Sequence, residues 1–484
     1  MTIERSALAP GLGISRVLTG LWQIADLERD GRPLDPVKTA SAMAPYVAAG
    51  FTTFDLADHY GSAEDIVGTF RETWPEAASA NFFTKWVPKP GPVTLGDSRA
   101  AVDRALTRMK ASRIDLLQFH AWNYADPSWL DALFHLEQLR RDGLIGQLGV
   151  TNFDTAHLRI AVASGIPIVS NQVSFSLLDQ RASGAMSDYC GAHGVRLLAY
   201  GTVAGGWLSS KWLGQPEPDW ERTGTWSQMK YGRFLRNAGD WAALQRVLGA
   251  LDLIARRHGV SITNVATRCI LEQPAVAGVI IGARLGETEH IADNARLFDF
   301  ALSAADHAEI RGVVETLAPI PGDTGDEYRK PPYLTASGDL SHHFENAPPP
   351  YQTQPGQGGK TLCLSGTTWE AGAGFARAVR IGDRILISGT TATHGSRHIG
   401  GTDPAAQAHF VIDKLEGALQ SLGGRLEQVV RTRIYVRNMA DWEPVARAHG
   451  ERFATIRPAN TLVRADLVGD EYLVEIEAEA MTPE

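Results

Sequence analysis

The sequence predicts an α/β fold class, in which an eight-stranded parallel (β/α)8 or TIM barrel precedes a small α+β domain. Apolar runs alternate with helical patterns through residues 1–320, which matches the size and alternation of a TIM barrel. Residues 321–365 are instead rich in proline, glycine and polar residues, and they predict a linker. Alternating strand patterns and two helical patterns then fill residues 366–484, which predict the second domain.

Short apolar runs predict the barrel strands. They are residues 14–22, 51–57, 81–86, 114–122, 146–151, 167–175, 195–201 and 276–282. Apolar residues at helical spacing lie between these runs, and a glycine such as Gly50 ends the first helix. The predicted helices are residues 35–50, 63–73, 98–111, 127–142, 154–164, about 182–193, 240–258, 261–272 and 286–297. A long excursion, residues 202–238, follows the seventh strand.

The second domain has its own order of elements. The run ARAVRIGDRILISGT predicts a β-hairpin that turns at Gly382 and Asp383. Residues 403–422 form an amphipathic helix that Gly423 and Gly424 end. VVRTRIYVR predicts a strand, DWEPVARAHGERF a second helix, and NTLVRADLV and EYLVEIEAEA the closing strands. This order predicts a compact α+β unit of about 120 residues.

Composition limits the classes of partner. Apolar residues make up 44% of the 484 residues and charged residues 21%, as in ordinary globular proteins. The net charge is −9, and the sequence has no block of like-charged residues. Nucleic acid and anionic membranes are therefore not expected as partners. The three cysteines are far apart in the sequence, which is typical of free thiols in a reducing compartment. No run reaches the ~20 apolar residues of a membrane span, and the acidic N-terminal stretch does not predict a signal peptide. We therefore expect a cytoplasmic protein with no metal site.

Chemically active side chains stand at three successive strand ends. FTTFDLADHY carries Asp55 and Tyr60, NFFTKW carries Lys85, and IDLLQFH ends at His120. The carboxyl ends of barrel strands meet at one mouth, so we expect these four side chains to lie together. An ammonium near a phenol lowers the phenol pKa, and Asp55 would hold Lys85 in place. His120 would donate to a carbonyl oxygen or orient it, which predicts a proton donor matched to a reducible carbonyl.

These residues carry a resemblance to the aldo-keto reductases. FDLADHYGSAE is similar to the family signature FDTADxYGxxE, with Leu56 in place of threonine. Lys85 and His120 fall where the family has its other two catalytic residues. The resemblance covers roughly residues 10–320 and implies hydride transfer between a nicotinamide and a carbonyl, with Tyr60 as the proton donor. The implied substrate is a small carbonyl compound or alcohol.

The sequence contains no dinucleotide-binding glycine fingerprint. The resemblance instead implies that the cofactor binds at the barrel mouth. Hydroxyl and amide groups at strand ends can bind the nicotinamide carboxamide, and an aromatic side chain can stack on the flat nicotinamide ring. Arg284, which stands just before a helix, can bind a phosphate, and this favours NADP(H) over NAD. The residues expected to contact the cofactor are Gly20, Trp22, Thr151, Asn152, Gln172, Tyr200, Gly206, Leu208, Gly282, Arg284, His290, Asp293 and Asn294. Tryptophans at strand ends predict an apolar substrate pocket formed by Trp86, Trp122 and Trp207.

Residues 370–484 resemble the Rid or YjgF-type family, whose fold is chorismate-mutase-like. AVRIGDRILISG, VVRTRIYVRNMADW, RPANT and VEIEAEA carry this resemblance. The family places a carboxylate-binding arginine after Pro-Ala, whereas Pro458-Ala459 is followed here by Asn460, which has no charge. Glu475 stands at the position of the family carboxylate. The resemblance implies a cleft containing these two residues, and a homotrimer.

Three hypotheses remain open from the sequence. The first is an NADP-dependent oxidoreductase with a C-terminal domain for ligand binding or oligomerisation. The second is a non-catalytic NADP(H)-binding regulatory subunit. The third is a bifunctional protein, in which the C-terminal domain releases a carbonyl from an imine and the barrel reduces it.

Overall fold

A computed structural model describes residues 2–220, 224–336, 338–340 and 347–482. Residues 221–223 of the predicted excursion, and residues 337 and 341–346 of the predicted linker, lie outside the described residues. Eight parallel strands close into a barrel, and a seven-stranded sheet forms the core of the C-terminal domain. The fold class predicted from the sequence is therefore confirmed.

The barrel strands follow one another around the cylinder, and the last pairs with the first through Val279 and Val17. Their bounds are Val17–Gly20, Thr53–Asp55, Asn81–Trp86, Ile114–Phe119, Ile145–Thr151, Ile168–Ser174, Arg196–Tyr200 and Val276–Gly282. The predicted first strand, residues 14–22, spans parts of two strands. Leu12–Ser15 pairs with Arg5–Ala9 in an antiparallel hairpin, because the chain turns at Gly11 with a left-handed φ of 76°.

Helices surround the barrel. Their bounds are Trp22–Leu27, Pro36–Ser41, Ala44–Ala48, Ala63–Thr73, Leu95–Arg108, Ser128–Arg141, Thr155–Ala163, Ala185–His193, Trp226–Ala238, Trp241–His258, Ile262–Leu271, Ile291–Ala295 and Ala304–Val314. The single helix predicted over residues 35–50 is divided, because Pro45 stands at the start of its second half and has no backbone N–H to continue the first. Within the described residues, no helix is both long and apolar enough to cross a membrane.

The chain returns to the barrel mouth directly after the last barrel helix. We call residues 320–336 the mouth segment; it contains the short helix Asp326–Arg329, in which all four residues are buried. Further along, Gln352–Pro355 and Thr361–Leu364 are strands of the C-terminal sheet. The structure thus differs from the linker predicted over residues 321–365, because polar side chains of the mouth segment find buried partners on the barrel.

The C-terminal domain is a sheet with helices on one face. Its remaining strands are Ala378–Ile381, Arg384–Thr391, Val429–Val436, Ala459–Arg464 and Val474–Met481, with a separate two-stranded pair Thr393–His394 and Arg397–His398. Its helices are Thr368–Ala373, Pro404–Ser421 and Trp442–Phe453. We call Pro404–Ser421 the docking helix, because it packs on the sheet and also on the barrel helix Thr155–Ala163. Fourteen of its eighteen residues are consequently buried.

Charged groups cross the contact between the two domains. The ring of His157 donates from Nδ1 to Asp154 at 2.6 Å and from Nε2 to Asp413 of the docking helix at 3.0 Å. On the same pair of helices, Arg159 Nε donates to Asp403 Oδ2 at 2.7 Å. Burial alone would lower the pKa of His157, but the Asp154 and Asp413 carboxylates outweigh it and raise the pKa above its usual value. His157 is therefore charged at the interface.

This titration predicts a pH dependence of stability. Because the pKa of His157 is higher in the folded protein than the ~6.5 of the unfolded chain, the folded state binds more protons as pH rises past that value. The free energy of unfolding should be at its full value below about pH 6.5 and should fall as pH rises through the raised pKa. Urea unfolding across this range measures it, and His157→Gln should remove the decline. His449→Gln is the control, since burial lowers the pKa of His449 and its titration lies below this range; an unchanged slope in His157→Gln would contradict the prediction.

Candidate active site

Two of the predicted catalytic residues form a buried ion pair in the barrel. Lys85 Nζ donates to Asp55 Oδ2 at 2.7 Å and to the backbone oxygen of Leu56 at 2.8 Å. The other Asp55 oxygen accepts from Gln118 Nε2 at 3.1 Å and Gln172 Nε2 at 2.7 Å. Only 3% of Asp55 and 4% of Lys85 is exposed. Donors from three other strands thus satisfy the Asp55 carboxylate.

Tyr60 lies beside this pair in the loop that leaves the second barrel strand. Its ring centre is 4.9 Å from Lys85 Nζ and 5.1 Å from the ring of Trp22. Burial, followed by the charge of Asp55, raises the pKa of Tyr60 well above 10. The expectation of a lowered Tyr60 pKa is therefore wrong for this arrangement, because burial and the Asp55 charge raise it. Tyr60 retains its proton at neutral pH.

His120 is the fourth predicted catalytic residue. Its Nδ1 lies 3.3 Å from the backbone oxygen of Thr151, which can only accept a hydrogen bond. Burial, and then the charge of Arg329, lowers the pKa of His120 well below 6.5, so the ring is neutral. The proton therefore resides on Nδ1, and the buried Nε2, which has no hydrogen-bond partner among the described residues, carries a lone pair. His120 was expected to donate to a carbonyl oxygen or to orient it; in this tautomer Nε2 is an acceptor, which suits a hydroxyl group.

A cavity of about 640 Å³ opens at the barrel mouth above these residues. Asp55, Tyr60, Lys85 and His120 all line it. The residues predicted to contact the cofactor also line it, with one exception: Gly20, Trp22, Thr151, Asn152, Gln172, Tyr200, Gly206, Gly282, Arg284, His290, Asp293 and Asn294. The exception is Leu208, which is fully buried in the core and does not reach the cavity.

The cavity wall suits a flat amide and a close backbone approach. A Cβ on Gly282 would press on the end of the Gln23 side chain, and one on Gly20 on Ile280 Cγ2, so glycine leaves room for these side chains close to the backbone. On this wall Gln23 Oε1 is buried and has no hydrogen-bond partner within the described part of the chain. Asn152 and Tyr200 meet there through a hydrogen bond of 2.7 Å. Amide and hydroxyl groups of this kind fit a nicotinamide ring and its carboxamide.

Arg284 is paired with two carboxylates at the edge of the cavity. Nη1 donates to Asp26 at 3.0 Å, and Nε donates to Glu287 at 3.0 Å. The side chain is partly exposed. Its remaining donors are available to a phosphate, although the two carboxylates oppose a second anion. The residue predicted to select NADP thus lies at the cavity, with part of its charge already neutralised.

The tryptophans predicted to form the substrate pocket lie in different places. Trp122 lines the cavity and packs edge-on against His120 at 4.5 Å. Trp86 follows Lys85 in its strand and therefore faces away from the barrel interior, where it packs on Phe119. Trp207 is buried, and its indole donates to the backbone oxygen of Gln228. The prediction is wrong for Trp86 and Trp207, which are packing residues.

Further residues line the cavity that the sequence did not single out. Lys230 and Trp226 come from the helix Trp226–Ala238 of the excursion. Tyr328 comes from the mouth segment, accepts a hydrogen bond from Lys230 Nζ, and packs against His120 at 5.5 Å. In the sequence, the helix Trp226–Ala238 is indicated only by the apolar spacing of residues 226–238. The DEYR run of residues 326–329 carries no signal that it would be buried at the cavity.

The two residues predicted to form the C-terminal cleft are separated. Asn460 pairs in register with Thr432 and donates to its hydroxyl at 2.9 Å. Glu475 pairs with Tyr435, three residues further along the same strand. Side chains an odd number of residues apart point to opposite faces of a sheet, so Asn460 and Glu475 do not meet within one chain. In the described part of the chain, no group of three or more His, Cys, Asp or Glu residues could hold a metal ion.

Comparison with known proteins identifies similar families for both parts. The profile of the aldo/keto reductase family matches residues 16–315, and that of the endoribonuclease L-PSP family matches residues 366–482. The chain is 28% identical to 6-dehydroglucose reductase of Agrobacterium fabrum, over 58% of this chain and 88% of that protein. The chain spans only 48% of the length of flagellar radial spoke protein 5 of Chlamydomonas reinhardtii and 58% of that of protein tas of Escherichia coli.

Solved structures are similar to each part as well. The glycerol dehydrogenase of Gluconobacter oxydans is 22% identical, covers 67% of this chain and 98% of its own, and superposes with a TM-score of 0.53. A YjgF/YER057c/UK114-family protein of Mycobacterium tuberculosis is 39% identical, over 25% of this chain and 99% of its own, with a TM-score of 0.24.

The buried ion pair makes a prediction for stability. Lys85→Met leaves the Asp55 carboxylate buried without a cation, so the free energy of unfolding should fall by about 3–5 kcal/mol. In the double variant Asp55→Asn/Lys85→Met, Gln118 and Gln172 still donate to the amide oxygen of the new asparagine, and no charge is buried. The loss in the double variant should therefore be smaller than the sum of the two single losses. Urea unfolding of the four proteins measures this coupling, and additive losses would show that the pair is not coupled.

Proposed function

The chain belongs to the aldo/keto reductase family, whose members generally use NAD(P)H, and from that premise we propose that the barrel is an NADP-dependent oxidoreductase. It reduces an aldehyde or ketone, or oxidises the corresponding alcohol or sugar. The observation that carries this proposal is Tyr60 beside the Asp55–Lys85 pair on the wall of one large cavity.

The proposed roles follow from the protonation state of each residue. A nicotinamide bound in the cavity supplies the hydride. Tyr60 keeps its proton through the physiological pH range, because burial raises its pKa, and gives that proton to the carbonyl oxygen. Asp55 holds the Lys85 ammonium next to the Tyr60 ring, where its positive charge stabilises the phenolate that remains after the proton is transferred. His120 Nε2 accepts from a hydroxyl of the substrate or of the alcohol product.

The proposed cofactor contacts divide into two groups. Thr151, Asn152 and Tyr200 hold the nicotinamide end, where the hydrogen bond between Asn152 and Tyr200 already fixes both side chains. Arg284 binds the 2′-phosphate of NADP with the donors that Asp26 and Glu287 leave unused. The proposed preference for NADP over NAD rests mainly on this arginine.

The C-terminal domain is proposed to serve ligand binding or assembly, with a homotrimer as the expected form. Asn460 offers no charge for a substrate carboxylate, and Glu475 lies on the other face of the sheet. Within one chain these positions therefore do not favour a second catalytic centre for imine hydrolysis. The competing hypothesis of a non-catalytic regulatory subunit predicts tight NADPH binding without turnover of any compound in a carbonyl and sugar panel.

Tyr60→Phe tests the proposed proton donor. Loss of the hydroxyl should lower the rate of carbonyl reduction by about 100-fold or more, the usual size of an acid–base contribution. The affinity for NADPH should change little, because only the hydroxyl is removed. Tyr231→Phe removes another hydroxyl from the same cavity and serves as the matched control. Full turnover by Tyr60→Phe would show that the proposed mechanism is wrong.

Arg284→Ala tests the proposed preference for NADP. The dissociation constant for NADPH should rise about 10- to 100-fold, as expected for losing a charged hydrogen bond, whereas that for NADH should stay within about twofold. Quenching of tryptophan fluorescence during titration measures both. Lys211→Met, which removes another cation from the cavity wall, is the control. Equal affinity of the unaltered protein for the two cofactors would refute the assignment, and binding of neither would refute the cofactor site.

A further inference from the structure

We propose that Arg329 and Asp413 are positioning residues for the cofactor site, through a continuous line of contacts that begins in the C-terminal domain. Asp413 lies on the docking helix, and Arg329 lies in the mouth segment. Neither side chain lines the cavity. The inference rests on the proposed cofactor site, and it assigns the fused domain a role in shaping that site.

Arg329 holds the backbone of two site residues at once. Its Nη1 donates to the backbone oxygen of Asn152 at 2.8 Å, and its Nε and Nη2 donate to that of Ala121 at 3.0 and 2.6 Å. Ala121 is adjacent to His120, and Asn152 stands at the end of the fifth barrel strand. The guanidinium is buried, so these three bonds are shielded from water. Arg329 thereby fixes two neighbouring strand ends relative to each other.

Asn152 has a left-handed backbone that the mouth segment holds in place. Its φ is 57°, in the region that glycine favours and that asparagine enters more readily than most other residues. Its N–H donates to the backbone oxygen of Gln172 at 2.8 Å, and its carbonyl is held by Arg329. Gly325 of the mouth segment lies so close that a Cβ there would be 1.9 Å from the Asn152 oxygen. Contacts from the mouth segment therefore hold the conformation that presents the Asn152 amide to the cavity.

A stack of rings connects Arg329 to the domain interface. The Arg329 guanidinium lies 4.4 Å from the ring centre of Tyr124. The ring of His157 lies parallel to the ring of Tyr124, at 3.4 Å between centres and 6° between planes. His157 in turn donates to Asp413, which also accepts from Arg452 at 2.5 Å. Only 1% of Asp413 and 4% of His157 is exposed, so the ion pair is buried.

The interface contains a matched ion pair outside this line. Arg159 and Asp403 join the same two helices, but neither contacts Tyr124 or Arg329 in the described residues. Asn can replace Asp403 as the cap of the docking helix, because an amide oxygen also accepts from the N–H groups of Ala405 and Ala406. Asp403→Asn thus removes an ion pair from the same interface without touching the proposed line.

Titration of full-length variants with NADPH tests the proposal. Asp413→Asn should raise the dissociation constant about 3- to 10-fold, within the range found for contiguous networks, and Asp403→Asn should leave it within about twofold. Arg329→Lys should raise it as well, and the double variant Arg329→Lys/Asp413→Asn should show little further loss. Equal effects of Asp413→Asn and Asp403→Asn, or additive effects in the double variant, would overturn the proposal.

Hydrogen exchange separates this proposal from the proposed function. In Asp413→Asn, backbone amides in residues 147–154 should exchange several-fold faster than in the unaltered protein, whereas Asp403→Asn should leave them unchanged. This readout needs no cofactor. Failure of the unaltered protein to bind NADPH would refute the cofactor site but would leave the exchange comparison decisive for the line of contacts. If Asp413→Asn does not fold, His157→Gln replaces it in both experiments, with the same expected results.

Discussion

The burial of one aspartate and one lysine inside the barrel constrains most of the candidate site. An isolated buried charge is costly, so Asp55 must be surrounded by donors. Lys85, Gln118 and Gln172 provide them from three different strands. Each donor reaches Asp55 only if its strand keeps its register, because a shift by one residue would turn the side chain outward. The geometry beside Tyr60 is therefore a consequence of satisfying one carboxylate.

Sequence reasoning recovered the barrel and the centre of the site because both follow from local patterns. Apolar runs mark strands, and the carboxyl ends of parallel strands share one edge, so Asp55, Lys85 and His120 were expected together. The tautomer of His120 and the raised pKa of Tyr60 were not accessible in this way, since they depend on burial and on the backbone oxygen of Thr151. The same alternation of side chains explains why Trp86 is directed away from Lys85.

The mouth segment was not predicted because its composition is that of a loop. Asp326, Glu327, Tyr328 and Arg329 are polar, and nothing in DEYR indicates burial. Their partners lie far away in the sequence: Glu327 forms an ion pair with Arg181 at 2.9 Å. Tertiary contacts of this kind override local composition, and they place residues from outside the barrel pattern on the wall of the cavity.

The docking of the C-terminal domain also limits how this protein can assemble. The helix face of its sheet is occupied by its own helices and, through the docking helix, by the barrel. The other face carries partly exposed charged side chains, among them Arg433, which donates to Glu477 at 2.6 Å. Ion pairs that are partly exposed contribute little stability, so contact with a further chain at this face would not require breaking a strong network. The open sheet face is thus a surface of this domain that remains available for the proposed oligomer, while the docking helix on the opposite face packs on the barrel.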